Sequence, residues 1–255
     1  MSGTPFAVRF TFRTPVALGA FGLLPSLEGL VAAGLTQAVG RLMPPLTDGD
    51  EPPALDLPLD TLAPDVLAAT LLWPMQPRQS SETPALAPDP LRPAARTYPH
   101  RFDHDLLRDR EHGGGALREK MHTVTPVIVR TAVAFGRGDP HAVQEALRHI
   151  SHLGDERGTG FGRLASPPTV QPMSQKLPLI CSADGALRRI VPLRHAESLG
   201  LDPQDPALRA YVTLGSSRLP LWYRPWWEPC LIPLPLTVRQ NAPSKEARPH
   251  VADAS

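Results

Sequence analysis

The sequence predicts an α+β fold in which two helices cover one face of an antiparallel sheet. Three observations carry that expectation. Residues 6–12, FAVRFTF, alternate with period two; residues 26–41 and 140–153 carry apolar stripes at helical spacing; and a β-branched run at 121–135 lies between the two helices.

In the first strand, Arg9 and Thr11 fall on one side and Val8, Phe10 and Phe12 on the other. Pro15 and the glycines that follow end the pattern. Ser26 is placed to cap a helix running to about Arg41, with Leu27, Leu30, Val31, Leu35, Ala38, Val39 and Leu42 as its stripe. Gly29 and Gly34 weaken that helix but permit close packing on a sheet.

From Pro44 to Tyr98 the chain is proline-rich, and 74–99 reads as an extended or mobile arm. Within it, 62–72 is expected to form a helix started by Pro64 and ended by Pro74. Residues 100–119 read as a charged loop or short helix. Strand character returns at 121–135, where Pro126 suggests an edge or bulge. Asp139 is the expected N-cap of a second helix, with Pro140 at its first position and Val143, Leu147, Ile150 and Leu153 facing inward.

This order of strands and helices agrees with a ferredoxin-like fold, which leaves one sheet face open. Open faces of this kind stack and cradle single-stranded RNA. Residues 187–194 and 211–215 read as short strands, and 219–236 as a proline-broken aromatic hairpin or long loop. The expected organisation is a core over 1–180 with an insertion at about 44–119, a β-rich extension over 181–240, and a polar, disordered tail over 241–255.

The formal net charge is +1, so no global field marks a nucleic-acid partner. Charge is nonetheless segregated: 48–65 holds six acids and no base, whereas 209–248 holds six bases against Glu228 and Glu246. Only Lys120, Lys176 and Lys245 are lysines; the other basic residues are arginines, whose fixed fork of donors suits phosphates. A codon-biased genome explains the arginine excess equally well. Cys181 and Cys230 are isolated, which fits buried thiols in a reducing compartment. No stretch approaches about 18 apolar residues without a charge or proline, and no secretory leader pattern is present. The chain is therefore expected to be soluble and cytoplasmic, with no membrane partner.

The most informative local signal is GDERGTGFGR at 154–163. Gly158, Gly160 and Gly162 free the backbone to turn successive amides toward an anion, and Arg157 and Arg163 supply charge-assisted bonds. The glycines follow a helix and precede a strand, which excludes the dinucleotide and phosphate-loop fingerprints. A tight turn without a ligand is the competing reading.

HISHLGDERGTGFGRL resembles the glycine-rich signature of the CRISPR repeat-associated RAMP proteins. SLEGLVAAGL at 26–35 resembles the first-helix motif of the type IV branch, with Glu28 where an Asp is common. RRIVPLR at 188–194 resembles a strand around an Arg-Pro-Leu-Pro-like core. SSRLPLWYRPWWEPC at 216–230 resembles the branch's tyrosine, proline and tryptophan-rich segment.

The resemblance implies an RRM-like RAMP fold and a Cas-five-like role. Such a subunit holds the 5′ handle of the CRISPR RNA and caps a filament of backbone RAMP subunits beside a large-subunit-like protein. Target DNA is then read by the guide within the assembled complex. By position, Gly158, Gly160, Phe161, Gly162 and Arg163 match the family's RNA-contacting loop, and Tyr223, Pro225, Trp226 and Trp227 match its aromatic segment.

Other candidate RNA contacts are Arg218, Trp222 and Arg224 among those rings, and Arg9, Lys120, His122 and Arg130 on the strands. Rings among prolines serve equally as a small core or a protein interface. Arg108, Arg110 and Arg118 sit on a loop that is a further candidate for reaching the handle. His122, His149 and His152, the last two near Asp155, are the available candidates near the expected core for general acid-base chemistry of a precursor-RNA endonuclease. No base or nucleophile is tied to them, and the glycine loop lies mid-chain, unlike that of cleaving relatives. HRFDHD at 100–105 has spacing compatible with a divalent ion but reads as a solvated turn. A non-catalytic RNA-binding subunit without cofactor or metal is thus the leading expectation. The endonuclease and a protein-binding scaffold are the alternatives.

Overall fold

The alternation of FAVRFTF becomes β1 (Thr4–Thr11), in which Phe6, Val8 and Phe10 are fully buried while Arg9 is exposed. The computed structural model describes residues 3–18, 21–38, 55–75, 98–102, 120–124, 126–154, 160–175, 177–182, 184–219 and 224–234. The expected tail at 241–255 and most of the insertion lie outside them.

After β1 come β2 (Val16–Ala17), α1 (Leu27–Ala38), β3 (Thr61–Ala63), β4 (Val66–Leu67), β5 (Trp73–Pro74), β6 (Tyr98–Phe102) and β7 (Lys120–Val124). The chain continues through β8 (Pro126–Val127), β9 (Thr131–Gly138), α2 (Pro140–Leu147), β10 (Thr169–Pro172), β11 (Val191–Pro192), α3 (Leu193–Ala196), β12 (Ala210–Gly215) and β13 (Glu228–Pro233). The architecture is α+β with antiparallel sheets. The central sheet runs β10-β1-β9-β5, and a second runs β11-β13-β12.

One face of the central sheet carries both helices. Phe6, Val8 and Phe10 of β1 and Ala132 and Ala134 of β9 form a core with Leu27, Leu30 and Val31 of α1 and Val143 and Leu147 of α2. Burial of each large side chain contributes about 1.5–3 kcal/mol. The helices also meet each other: a Cβ on Gly34 would lie 2.1 Å from the Ala146 carbonyl oxygen, so only glycine permits this approach. Close packing at Gly34 was expected against a sheet; the partner is instead helix α2.

Asp139 caps α2 as expected, accepting from the amides of His141 at 2.9 Å and Ala142 at 3.2 Å. The helix is shorter than its apolar stripe predicts, ending at Leu147 rather than Leu153. The reason is backbone competition. Leu153 N donates to Gly162 O at 2.9 Å, Leu164 N donates to Ser151 O at 2.9 Å, and His152 pairs with Arg163. Ile150 and Leu153 remain buried beyond the helix, Ile150 N donating to Leu147 O at 3.0 Å in a turn.

The helix expected at 62–72 is not formed. Pro64 and Asp65 instead turn the chain between β3 and β4, with Asp65 at φ 61°. The next backbone groups are shared among separate neighbours: Thr70 N donates to Phe135 O at 2.9 Å, Leu71 N to Arg188 O at 2.8 Å and Leu72 N to Pro25 O at 2.9 Å. Residues 100–102 of the expected loop or helix belong to β6, paired with β7. The strand expected over 121–135 is divided into β7, β8 and β9, with Pro126 pairing Ala17 of β2.

At 187–194 only Val191–Pro192 is strand, followed directly by α3. Within 219–236 only Glu228–Pro233 is strand, and it pairs with β12 outside that region, from Ala210↔Pro233 to Gly215↔Glu228, rather than forming a hairpin of the aromatic region with itself among the described residues. This part is tied to the core by Arg189, which is 1% exposed. Its guanidinium donates to the carbonyls of Leu67 and, at 2.9 Å, Ala69, and lies 3.8 Å from Glu28 of α1.

Candidate nucleic-acid interface

The glycine motif closes on the end of β1. Thr14 Oγ1 donates to Gly160 O at 2.8 Å and accepts from Arg163 N at 2.9 Å. Gly162 N donates to Pro15 O at 2.7 Å, and Arg13 N to Arg163 O at 2.8 Å. Gly160 and Gly162 have φ of +91° and +66°, the left-handed region that favours glycine. At Gly162 the requirement is double, since a Cβ there would sit 1.7 Å from Leu153 O.

This corrects the anion-cradle expectation for two amides. Those of Gly162 and Arg163 are used by Pro15 and Thr14, so the turn offers the side chain of Arg163 rather than these N–H groups. Arg157 and Gly158 lie outside the described residues. Phe161 is half-buried beside the exposed Gly160.

The arginines divide sharply by their partners. Arg137 pairs with Asp60, Arg148 with Glu145, Arg189 with Glu28, Arg194 with Asp65 and Glu228, Arg209 with Asp184, and Arg218 with Asp65. Arg188 is buried with its guanidinium 5.2 Å from the Phe135 ring centroid, and burial lowers its pKa. Arg9, Arg13, Arg130 and Arg163 are exposed and have no carboxylate partner among the described residues.

Arg13 N donates to Arg163 O, and Arg9 lies on β1 opposite Thr169 of β10. Arg130 is paired with the core residue Phe12, whose amide donates to Arg130 O at 2.9 Å, so it falls on the other side of the sheet from Arg9. Arg9, Arg130 and Arg163 were expected as RNA contacts, and the register does not bring Arg130 to the side of Arg9. Arg13 was missed because it follows the alternating run, where the sequence shows only a bend before Pro15. The signal that could have found it is its continuation of the Arg9, Thr11 parity.

The expected open sheet face is only partly open. Val133 and Phe135 are 7% and 5% exposed, covered with Ala7 by Ala68, Met75, Met173, Leu177 and Leu179. Exposure persists on the β10 side, at Arg9, Thr169 and Gln171. Side chains of the segment after β10 therefore close the middle of the face and leave a strip along one side.

The described aromatic candidates, Trp226 and Trp227, are engaged within the chain. The Arg218 guanidinium lies 4.2 Å from the Trp226 ring centroid and 3.5 Å from Asp65. Trp227 packs against Phe21 with centroids 6.3 Å apart. Glu228, then Asp65, hold the Arg194 guanidinium more firmly protonated than usual. Trp222 and Tyr223 lie outside the described residues, and of Arg224 only the backbone is described, in a short 3-10 turn. Lys120 and His122 occupy β7, whose pairing with β6 is described but whose side chains are not.

His149 is exposed, and His152 Nδ1 lies 2.9 Å from Ser151 Oγ. Asp155, the arginines at 108, 110 and 118, and residues 103–105 of HRFDHD lie outside the described residues. Among the described residues, no group of three or more His, Cys, Asp or Glu is placed to hold a metal ion. Nor is any described helix long and apolar enough to cross a membrane. In comparisons with known proteins, no family model matches the chain and no curated protein matches it.

Proposed function

We propose that this chain is a non-catalytic CRISPR RNA-binding subunit, Cas-five-like, that holds the 5′ handle and caps the backbone filament of a type IV effector complex in the cytoplasm. The observation that carries the reading is that Arg9, Arg13 and Arg163, all exposed and without carboxylate partners among the described residues, lie on β1, just past its end and on the glycine turn bonded to it. A guanidinium left without a carboxylate in a near-neutral chain is available to a phosphate.

The strand order supports the ferredoxin-like part of the proposal. Reading β1, β5, β9 and β10 as strands one to four of two βαβ halves, the order β10-β1-β9-β5 is four-one-three-two, the order of that fold. The glycine turn then follows the second helix, where the RAMP resemblance expects it. The implied partners are the backbone RAMP subunits, the large-subunit-like protein, and target DNA through the guide.

Ultraviolet crosslinking of the RNA-bearing assembly, followed by peptide mapping, tests the site. Crosslinks are expected on peptides containing Arg9 to Arg13 and Gly160 to Arg163. Crosslinks confined to other segments would remove the assignment.

A further inference from the structure

We infer that the outer edge of β12 is a docking site for a strand of a partner protein, an extended segment with apolar side chains at alternate positions and basic residues at one end. The inference is independent of the RNA-binding reading, since it concerns the second sheet and none of the unpaired arginines.

The backbone defines the edge. β12 is the outer strand of β11-β13-β12, in register with β13 from Ala210↔Pro233 to Gly215↔Glu228. Leu234 N donates to Arg209 O at 3.1 Å, so Arg209 is a hydrogen-bonded position, as are Tyr211, Thr213 and Gly215 by alternation. Pro229 and Pro233, which have no N–H to give, stand opposite Leu214 and Ala210, in agreement with that parity. The N–H and C=O groups of Ala210, Val212 and Leu214 therefore point away from β13, where no strand pairs with them among the described residues.

Two of these residues also present open apolar side chains. Val212 and Leu214 are 50% and 55% exposed and lie two residues apart on one face. Single exposed apolar residues are ordinary, but a pair of them on an outer strand with free backbone groups is a template for another strand. The other three outer strands of the two larger sheets are blocked. Gln144 fills the edge of β10, its Nε2 donating to Pro168 O at 2.9 Å and its Oε1 accepting from Val170 N at 2.8 Å. β5 and β11 are two residues long and each ends in proline, whereas β12 has six residues and no proline.

An extended chain supplies donors and acceptors at every second residue, and its alternate side chains are those that Val212 and Leu214 would meet. Charge defines the rest of the occupant. The segment leading into β12 carries the exposed acids Glu197, Asp202 and Asp205, which have no basic partner among the described residues, and its one base, Arg209, is held by Asp184 at 3.1 Å. A strand that is basic at the end beside this segment is complementary to it; a nucleic-acid strand, with a phosphate at each nucleotide, is repelled.

The test uses the full chain and two fluorescein-labelled peptides of alternating valine and threonine, with two lysines at the N-terminus of one and at the C-terminus of the other, titrated by anisotropy. At least one is expected to bind with a Kd of about 100 μM or tighter, and a proline at its centre to abolish binding. Hydrogen exchange at the Val212 and Leu214 amides should slow by about tenfold in the bound chain. V212T/L214T should weaken binding by about tenfold, and D202N/D205N should remove the preference for lysine over glutamate at the peptide's end. These side chains are exposed, so unchanged thermal unfolding is the folding control. No saturable binding of either peptide up to about 1 mM, or binding that V212T/L214T leaves unchanged, would overturn the inference. So would a concentration-dependent dimer that the same substitutions abolish, because a second copy would then be the occupant, or protection of these amides by single-stranded RNA.

Discussion

Thr14 Oγ1 accepts the Arg163 amide at 2.9 Å while donating to Gly160 O at 2.8 Å, so one hydroxyl fastens the glycine turn to the end of β1. Removing the hydroxyl without changing the side-chain shape should loosen the turn that presents Arg163. Thr14→Val is expected to cost about 1 kcal/mol in urea denaturation. It should also weaken RNA binding, and Thr14→Ser should restore both. Equal stability and affinity for Val and wild type would show that the bridge is dispensable.

The two described glycines of the turn should differ greatly in tolerance. Both have left-handed φ, for which a Cβ costs about 1–2 kcal/mol. At Gly160 nothing lies within 4 Å of the added carbon, whereas at Gly162 it meets Leu153 O at 1.7 Å. Gly160→Ala is therefore expected to remain folded with a modest loss of Tm, and Gly162→Ala to lose soluble folded protein. The opposite ranking, measured by yield and thermal melts, would contradict the described turn.

The buried pair Arg189 and Glu28 sets how firmly the C-terminal segment holds the core. Arg189→Ala strands the Glu28 carboxyl and the carbonyls of Leu67 and Ala69, at an expected cost of about 3–5 kcal/mol. A loss too small to resolve in urea denaturation would contradict this anchoring.

The same pair predicts a direction with pH. Burial pushes the Glu28 carboxyl above its ordinary value, with Arg189 opposing but not cancelling it. The folded chain thus keeps this proton to higher pH than the unfolded chain does. Its stabilising contribution is full below the ordinary glutamate range and is lost as pH rises through the raised folded value. Glu28→Gln should remove that part of the pH dependence, measured as urea midpoints in paired titrations; an unchanged profile would exclude Glu28 as its source.

Cys230 should be chemically silent in the folded chain. It is fully buried, and burial, aided by Glu228, pushes its thiol up to about 12. Cys181 is half-buried, with its thiol raised as well. Mass spectrometry after native alkylation should find slow modification at Cys181 and none at Cys230 until unfolding. Comparable labelling of both would mean that β13 opens readily.

Local rules made several elements legible in the sequence. The period-two run of β1, the Asp139 cap with Pro140, and the 211–215 strand all depend on near neighbours, and each occurs where expected. Errors fell where tertiary partners take the backbone. Leu62 to Leu72 has apolar spacing fit for a helix, yet its amides are drawn to Phe135, Arg188 and Pro25. The end of α2 was overrun for the same reason, as Ser151 and Leu153 bond the glycine turn. Within the candidate site, Arg9, Arg130 and Arg163 were visible as residues, but which arginines lack carboxylates depends on pairings between residues far apart in the chain, such as Arg194 with Asp65 across 129 positions. No single-sequence pattern carries that information.

The most direct measurement is to purify the chain with its neighbouring gene products, digest exposed nucleic acid, and sequence the protected RNA ends. Enrichment of one repeat-derived 5′ handle, lost when Arg13 and Arg163 are replaced by Ala, is the predicted result. An intact protein complex that carries no RNA would contradict the RNA-binding account and favour a protein-binding scaffold.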